Sequence, residues 1–313
     1  MKVMFGIGKV KSALKNTVAA IGVFDGVHKG HQELIRKTVA SARRNNAKSL
    51  VVTFHPHPVE VLHKRELSYL VSLPYRLELI KALGVDYVLV ITFTRKFAQL
   101  KPEEFVKKYL VKQLGVREVF VGDDFRFGEN RSGDVDLFTA MGEKHGFQVN
   151  HMHLIKKISE ADKISSSRLR ELISAGKLHE AASMLGRPVS VMGQVIRGDG
   201  RGKTIGYPTA NLQWERSILP PRGVYIVQVH FKNRCYQGMA NIGVRPSFQN
   251  KNARVSLEVH ILNFKKNIYD KPLIVEFLQK IRDEQRFPSV PSLVDQIRLD
   301  EQTARRYFRS HSC

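Results

Sequence analysis

The chain has 313 residues, 42% of them hydrophobic, and its 51 Lys and Arg against 29 Asp and Glu leave a formal charge of +22. That length predicts two domains of roughly 150 residues each, and no stretch approaches the ~18 consecutive apolar residues of a membrane helix. Two cysteines, Cys235 and Cys313, exclude a disulfide framework or a zinc pattern, and with no signal peptide at the start the reading is a cytoplasmic protein.

Residues 18–23, 50–54, 87–93 and 118–121 are short, apolar, β-branched runs that predict buried parallel strands. Between them, residues 32–45, 74–83, 102–114 and 134–145 read as helices, with Pro74 and Pro102 in first-turn positions. The alternation predicts a doubly wound α/β (Rossmann-like) sheet, whose ligands lie beyond the carboxyl ends of the strands. Helical runs continue through 166–175 and 178–185, and Gly186-Arg187-Pro188 then breaks the pattern, so the expected domains are 1–185 and 186–313. Beyond the break, residues 189–196, 223–230, 237–242, 254–262 and 272–277 alternate with strand period and predict a small antiparallel β-barrel. Val290, Leu293, Val294, Ile297 and Ala304 have helical spacing, which predicts a C-terminal helix closing on that barrel.

The densest motif is GVFDGVHKGH, residues 22–31, set between a strand and a helix. That architecture offers backbone N–H groups to a phosphate, and His28 and His31 add side-chain donors at the same helix start. Three further segments fall at strand ends or helix starts: FHPHP at 54–58, GDDFRFG at 122–128 and ISSSRLR at 164–170. Their chemistry suits nucleotidyl transfer, in which in-line attack on an α-phosphate develops charge on its oxygens and on the leaving pyrophosphate. Catalysis of that kind is mostly positioning and electrostatic stabilisation. The serines at 165–167 supply a helix cap and free N–H groups, and Arg170 a permanent charge one turn in. An HxGH tetrapeptide alone is as readily chance; the strand and helix around it carry the functional reading. His55 and His57 invite a metal reading, but flanking prolines and the lack of a third ligand nearby favour a shaped loop.

A second dense segment is RGDGRGKTIGYPTANL, residues 197–212. Gly198, Gly200, Gly202 and Gly206 permit positive φ and close backbone approach to phosphate, and Lys203 adds charge. It is not a Walker P-loop, because no helix pattern follows and the upstream glycine spacing is wrong. Thr209 and Asn211 place two hard oxygen donors at i and i+2, able to face one way in an extended chain and suited to Mg²⁺. In isolation a glycine-rich hairpin explains the segment equally well. Glu258 shifts that balance: Val255, Leu257, Val259 and Ile261 form one apolar face, and Glu258 projects from the other with Ser256 and His260. A carboxylate there can take a proton from an attacking hydroxyl, where the plainer alternative is a solvent-facing glutamate.

GVFDGVHKGH, FHPHP, GDDFRFG and ISSSRLR resemble, in order, the motifs of the adenylyltransferase half of bacterial bifunctional FAD synthetases. These belong to the nucleotidyltransferase superfamily marked by HxGH and ISSTxxR. The resemblance implies His28 and His31 as stabilisers of α-phosphate charge. It implies nucleotide contacts from Gly22, Phe24, Asp25, Gly30, Ser166, Ser167 and Arg170, and flavin contacts from Asp124 and Phe125. Ser167 replaces the motif threonine and keeps its hydroxyl; Lys163 stands where some relatives have arginine, keeping charge without the bidentate fork. His55 stands where an acidic residue is common, and no role is assigned to it.

In the second half, GxGRGxxxGYPTAN, GVY, LEVHIL and RDEQRF resemble the riboflavin kinase domain of the same enzymes. That likeness implies Gly198, Gly200 and Lys203 at the ATP phosphates, Thr209 and Asn211 holding Mg²⁺-ATP, and Glu258 as base for the ribityl 5′-hydroxyl. It puts Arg282 beside the flavin, in the helix or loop after the last strand. Asn263-Phe264 and Asn267-Ile268-Tyr269-Asp270 replace the commoner DF…DLYG, which lowers the charge of that loop. Together the two likenesses imply ATP-dependent conversion of riboflavin to FMN and of FMN to FAD, with Mg²⁺ and without a covalent enzyme intermediate. Two rivals stand beside this. Another HxGH adenylyltransferase, with pantetheine phosphate or nicotinate mononucleotide as acceptor, would not need the PTAN barrel. A basic RNA-binding protein would explain the charge, but Lys and Arg are scattered singly and in pairs such as Lys107-Lys108, Lys156-Lys157 and Arg305-Arg306. No block of five or six occurs, so nucleic acid is not an expected partner.

Overall fold

Six parallel strands form the first sheet: β1 (Lys2–Phe5), β2 (Thr17–Ile21), β3 (Lys48–His55), β4 (Tyr87–Thr92), β5 (Val116–Gly122) and β6 (Gln148–Met152). Their order is β1-β4-β3-β2-β5-β6. This computed structural model describes residues 1–10, 14–152, 164–198, 200–245 and 254–311; Lys156, Lys157, Lys163 and Cys313 lie outside the described residues. All five residues of β2 are buried, because the strand is central and covered on both faces. The helices are α1 (Lys29–Arg44), α2 (Pro58–His63), α3 (Leu73–Lys81), α4 (Arg95–Ala98), α5 (Pro102–Glu104) and α6 (Val135–His145). After α5 the helix continues with π-type bonding over Phe105–Gln113.

Strand side chains alternate between faces, and the two faces take different partners. Val18, Ala20, Val51, Val88 and Val90 pack with Leu34, Ile35 and Val39 of α1. Ala19, Ile21, Leu50, Val52, Leu89 and Ile91 pack with Phe105, Val106, Leu110 and Phe138 on the other side. Each such Leu, Ile or Val contributes about 1.5–3 kcal/mol relative to exposure. The edge strands β1 and β6 were not expected from pattern. Both are only partly buried, so neither carries the apolar run that marks an inner strand.

The second half holds α7 (Ser166–Ser174), α8 (Leu178–Leu185), β7 (Val189–Ile196), α9 (Arg201–Thr204), β8 (Ala210–Trp214), β9 (Gly223–Phe231), β10 (Arg234–Arg245), β11 (Arg254–Ile261), β12 (Pro272–Arg282) and α10 (Val290–Ser310). The strands close into an antiparallel barrel in the order β10-β11-β8-β7-β12-β9. On α10, Ala304 and Phe308 bury against Ile226 and Met239. Val290, expected at the head of that stripe, is 58% exposed.

Packing divides the chain into Met1–Ser68 with Leu73–Ser166, and Tyr69–Ser72 with Ser167–Cys313. The pattern break at residue 186 marks where helices give way to strands. The division in packing comes earlier, because α7 and α8 bury Leu169, Leu172, Ile173, Leu178, Ala181 and Leu185 in the same core as the barrel strands. An amphipathic helix face needs an apolar partner, and its sequence does not name which one.

Candidate functional site

The chain leaves β2 at Ile21 and turns through residues 22–28 into α1. Because β2 lies between β3 and β5, the connections run first to one side and later to the other. That reversal opens a crevice at the carboxyl ends of the strands, and GVFDGVHKGH after β2 and GDDFRFG after β5 both lie there.

The turn uses left-handed backbone at Phe24 (φ 54°), Gly26 (φ 81°) and Val27 (φ 42°). A phenylalanine and a β-branched valine hold such conformations only where the surroundings impose them. Phe24 is 1% exposed, its ring against Gly22 and edge-on to His31 at 5.2 Å. The Val23 carbonyl accepts from Thr53 Oγ1 at 2.8 Å and from Arg76 Nη1 at 2.6 Å. Ser166 Oγ donates to the Asp25 carbonyl at 3.2 Å, and Gln32 Nε2 to the Val27 carbonyl at 2.9 Å.

His28 is the N-cap of α1, its Nδ1 accepting from the His31 backbone N–H at 3.3 Å. An accepting Nδ1 assigns the proton of the neutral ring to Nε2, which is then a donor. The His31 ring stacks on it with centroids 3.5 Å apart and planes 18° apart. Burial first, then His28, then the Arg76 guanidinium hold the His31 pKa well below its ordinary value of 6.5. His31 is therefore neutral near pH 7. The neutral His31 ring, the His28 ring and the first-turn N–H groups of a 16-residue helix, Gly30 among them, share one helix start, and anions are favoured at such a start.

Of the other expected residues, Asp25 is buried at 1%, with its carbonyl engaged by Ser166. Ser167 is exposed and Arg170 half-buried on α7, in the segment that packs with the barrel. Asp124 is exposed, while Phe125 is half-buried and stacks on Phe127 at 5.3 Å, with Phe138 also at 5.3 Å. His57 is the N-cap of α2, accepting from Val59 N–H at 3.1 Å in a capping box with Glu60, which matches the shaped-loop alternative. Arg76 and Thr53 went unanticipated. In LPYRLELI an arginine reads as a surface charge on a helix, and nothing local marks it as buried.

In the barrel, cross-strand register sets Asn211 of β8 and Asn241 of β10 on either side of Glu258 in β11. Leu257, Val259 and Ile261 enter the core, while Glu258 lies half-buried on the other face. Val255, expected with the apolar set, is 45% exposed. Thr209 Oγ1 donates to Glu258 Oε2 at 3.5 Å. His260 Nδ1 lies 2.8 Å from the Pro208 carbonyl, and its ring meets Tyr207 edge-on at 5.4 Å. Burial foremost, then Glu301 of α10, raises the Tyr207 pKa, with Arg298 opposing. Of the four glycines in the segment, Gly200 and Gly206 take positive φ. Gly198 serves by close approach instead, since a Cβ there would collide with the Asn211 amide. Lys203 is exposed on the one-turn helix α9.

Arg282 is the last residue of β12, not part of a later loop or helix. Its Nε and Nη2 donate to the Asp300 carboxylate at 2.8–3.0 Å, and its Nη1 to the Asp283 carbonyl at 3.0 Å. The guanidinium thus ties β12 to α10. Among the described residues no group of three or more His, Cys, Asp or Glu could hold a metal ion. Thr209 and Glu258 meet at 3.5 Å and Asn211 is the register partner of Glu258, a set of hard oxygen donors that fits Mg²⁺ shared with phosphates. A cleft of about 740 Å³ lies at the opposite, amino-terminal end of the sheet, beside Asn16, Glu118 and Gln148. Its Glu118 is already bonded to Ser41 and Asn150, and none of the motif residues lines it.

A family model described as FAD synthetase matches residues 10–168, and one described as riboflavin kinase matches residues 185–308. The chain is 38% identical over 311 residues to the bifunctional riboflavin kinase/FMN adenylyltransferase of Escherichia coli K12, covering 98% of each. It is 35% identical over 310 residues to the protein of the same description from Buchnera aphidicola subsp. Schizaphis graminum, covering 98% of this chain and 99% of that one. Among solved structures, one from Streptococcus pneumoniae described as a macrolide-efflux protein aligns with a TM-score of 0.84 and 31% identity, over 97% of this chain and 99% of its own. Efflux is that protein's description; among the described residues here, no helix is long and apolar enough to cross a membrane.

Proposed function

The chain belongs to the family of bifunctional riboflavin kinases/FMN adenylyltransferases, and from that premise we propose how its residues divide the two steps. It is a transferase that phosphorylates riboflavin to FMN with ATP and adenylylates FMN with a second ATP, giving FAD and pyrophosphate. We assign adenylylation to residues 1–185 and phosphorylation to residues 186–313. A division in this region is supported by the changeover of family matches between residues 168 and 185.

In the first step the ribityl 5′-hydroxyl attacks the γ-phosphorus of ATP, loses its proton to Glu258 and displaces ADP as the bond to the bridging oxygen breaks. Thr209 and Asn211 orient the nucleotide phosphates, and Gly198, Gly200 and Lys203 line their approach. Mg²⁺ at Thr209 and Asn211 would neutralise charge on those phosphates. In the second step an FMN phosphate oxygen attacks the α-phosphorus of ATP in line. The Nε2–H of His28 and the ring of His31 face charge developing on the α-phosphate and on the leaving pyrophosphate, with first-turn N–H groups of α1. Both imidazoles are assigned as donors to phosphate charge, and neither as a nucleophile. Gly22, Phe24, Asp25, Gly30 and Ser166 form the nucleotide side of this site, and Asp124 and Phe125 the flavin side. Arg282 is left two guanidinium N–H groups for a flavin after its bonds to Asp300 and Asp283. The cytoplasm is the proposed location, supported by a cysteine content with no disulfide framework.

The observation that carries this division is that the stacked His28–His31 pair and the Thr209–Glu258 pair lie in different compact units. Incubation of the full chain with riboflavin, ATP and Mg²⁺, followed by chromatography, tests it. His28→Ala is expected to accumulate FMN and form no FAD. Glu258→Ala is expected to lower riboflavin phosphorylation about 10²–10⁴-fold while still converting supplied FMN to FAD. Loss of both activities in either variant would refute separate sites.

A further inference from the structure

We propose that Arg76 is a positioning residue for FMN adenylylation: its buried guanidinium clamps the Val23 carbonyl and so holds the strained turn that presents His28 and His31. The proposal rests on the assignment of adenylyl transfer to that turn.

Arg76 comes from α3, outside every motif, and is 1% exposed. A buried guanidinium is costly unless its surroundings use it. Here Nη1 donates at 2.6 Å to Val23 O, the last carbonyl before the left-handed run at Phe24, Gly26 and Val27. Thr53 holds the same oxygen from β3 at 2.8 Å. The two donors fix the start of the turn, and Ser166 fixes its middle at the Asp25 carbonyl. The far end is the His28 cap, with its ring stacked on His31. A turn held at three points transmits the position of Val23 to both imidazoles. The cation has a second effect. The titratable and charged groups acting on the His31 ring are His28, from the turn, and Arg76, from α3; both disfavour its protonation. Arginine suits both roles because its charge is permanent and its donor geometry rigid.

The test uses the full chain with FMN and ATP across a pH series. Arg76→Met is expected to lower kcat on the order of 10²-fold, the scale of a small misplacement of reacting groups. The KM values for FMN and ATP stay near wild type, because the role assigned to Arg76 is a bond to the turn backbone and not to either substrate. Loss of the cation raises the His31 pKa, so the limb of kcat/KM that His31 sets moves to higher pH. Arg76→Lys keeps the charge and one donor; it returns that limb to its wild-type position and recovers part of kcat. Riboflavin phosphorylation is unchanged in both. A raised KM with wild-type kcat, or a lowered kcat with the limb unmoved, would overturn the proposal. If Arg76→Met does not fold, Arg76→Gln replaces it, keeping a donor without charge. The limb then moves in the Gln variant and not in the Lys variant, and identical limbs refute the role. His31→Ala separates the two levels. Normal adenylylation by that variant removes the site assignment and this proposal with it. An inactive His31→Ala beside a fully active Arg76→Met overturns the proposal alone.

Discussion

His31, to which we assign a part in adenylylation, also bears on stability. Burial keeps its ring neutral in the folded chain, while the unfolded chain takes up that proton near the ordinary pKa of about 6.5. Between 6.5 and the lower folded value the unfolded state binds more protons, so stability falls as pH drops through that window and levels off below it. The melting temperature of the wild type should therefore decline more steeply on going from about pH 7 to pH 5 than that of His31→Gln. Equal slopes would show that His31 carries no such load. The HxGH spacing identifies both histidines, because a pair of donors at a helix start is a local pattern. Their neutrality is not local. It comes from a stacked ring, an enclosing Phe24 and a guanidinium on α3, none of which the tetrapeptide specifies.

At the scale of elements, the kinase site depends on backbone distance as much as on side chains. A methyl at residue 198 collides with the Asn211 amide. Gly198→Ala should therefore shift Asn211, lowering riboflavin phosphorylation while leaving adenylylation of supplied FMN intact; unchanged phosphorylation would show that the loop yields. The C-terminal helix is held differently. Asp300 is 3% exposed at its side chain and receives three donor contacts from Arg282. Removing one partner of a buried pair strands the other charge, so Asp300→Ala should cost about 3–5 kcal/mol. The single tryptophan, Trp214 in β8, reports this in a urea titration of the barrel. A loss below about 1 kcal/mol would mean the pair behaves as a surface bridge. The long inner elements were legible from periodicity, and α8 and β7 match their expected bounds at 178–185 and 189–196. Among the strands, β1, β6 and β8 were missed. Each is only four or five residues long and holds its place through pairing with a neighbour strand.

For the molecule as a whole, the two reactions share one intermediate, FMN. A mixture of His28→Ala and Glu258→Ala chains, each inactive in one step, should convert riboflavin to FAD through FMN released into solution. If each variant keeps its own half-reaction and the mixture still fails, FMN passes within one chain without release. The sequence alone determined the α/β class of the first half and the barrel class of the second, because periodicity is a property of contiguous residues, and the likeness of its motifs carried the order of the two chemistries. It also supplied the candidates to which we assign the chemistry, from His28 and His31 to Thr209, Asn211 and Glu258. Only the tertiary structure decided which residues work on those groups from afar. The β8–β11 register sets Asn211 beside Glu258, α7 and α8 pack with the barrel core, and Arg76 is buried against Val23. These are relations between residues distant along the chain. They follow from which apolar faces find each other on folding, and a linear pattern does not encode that choice.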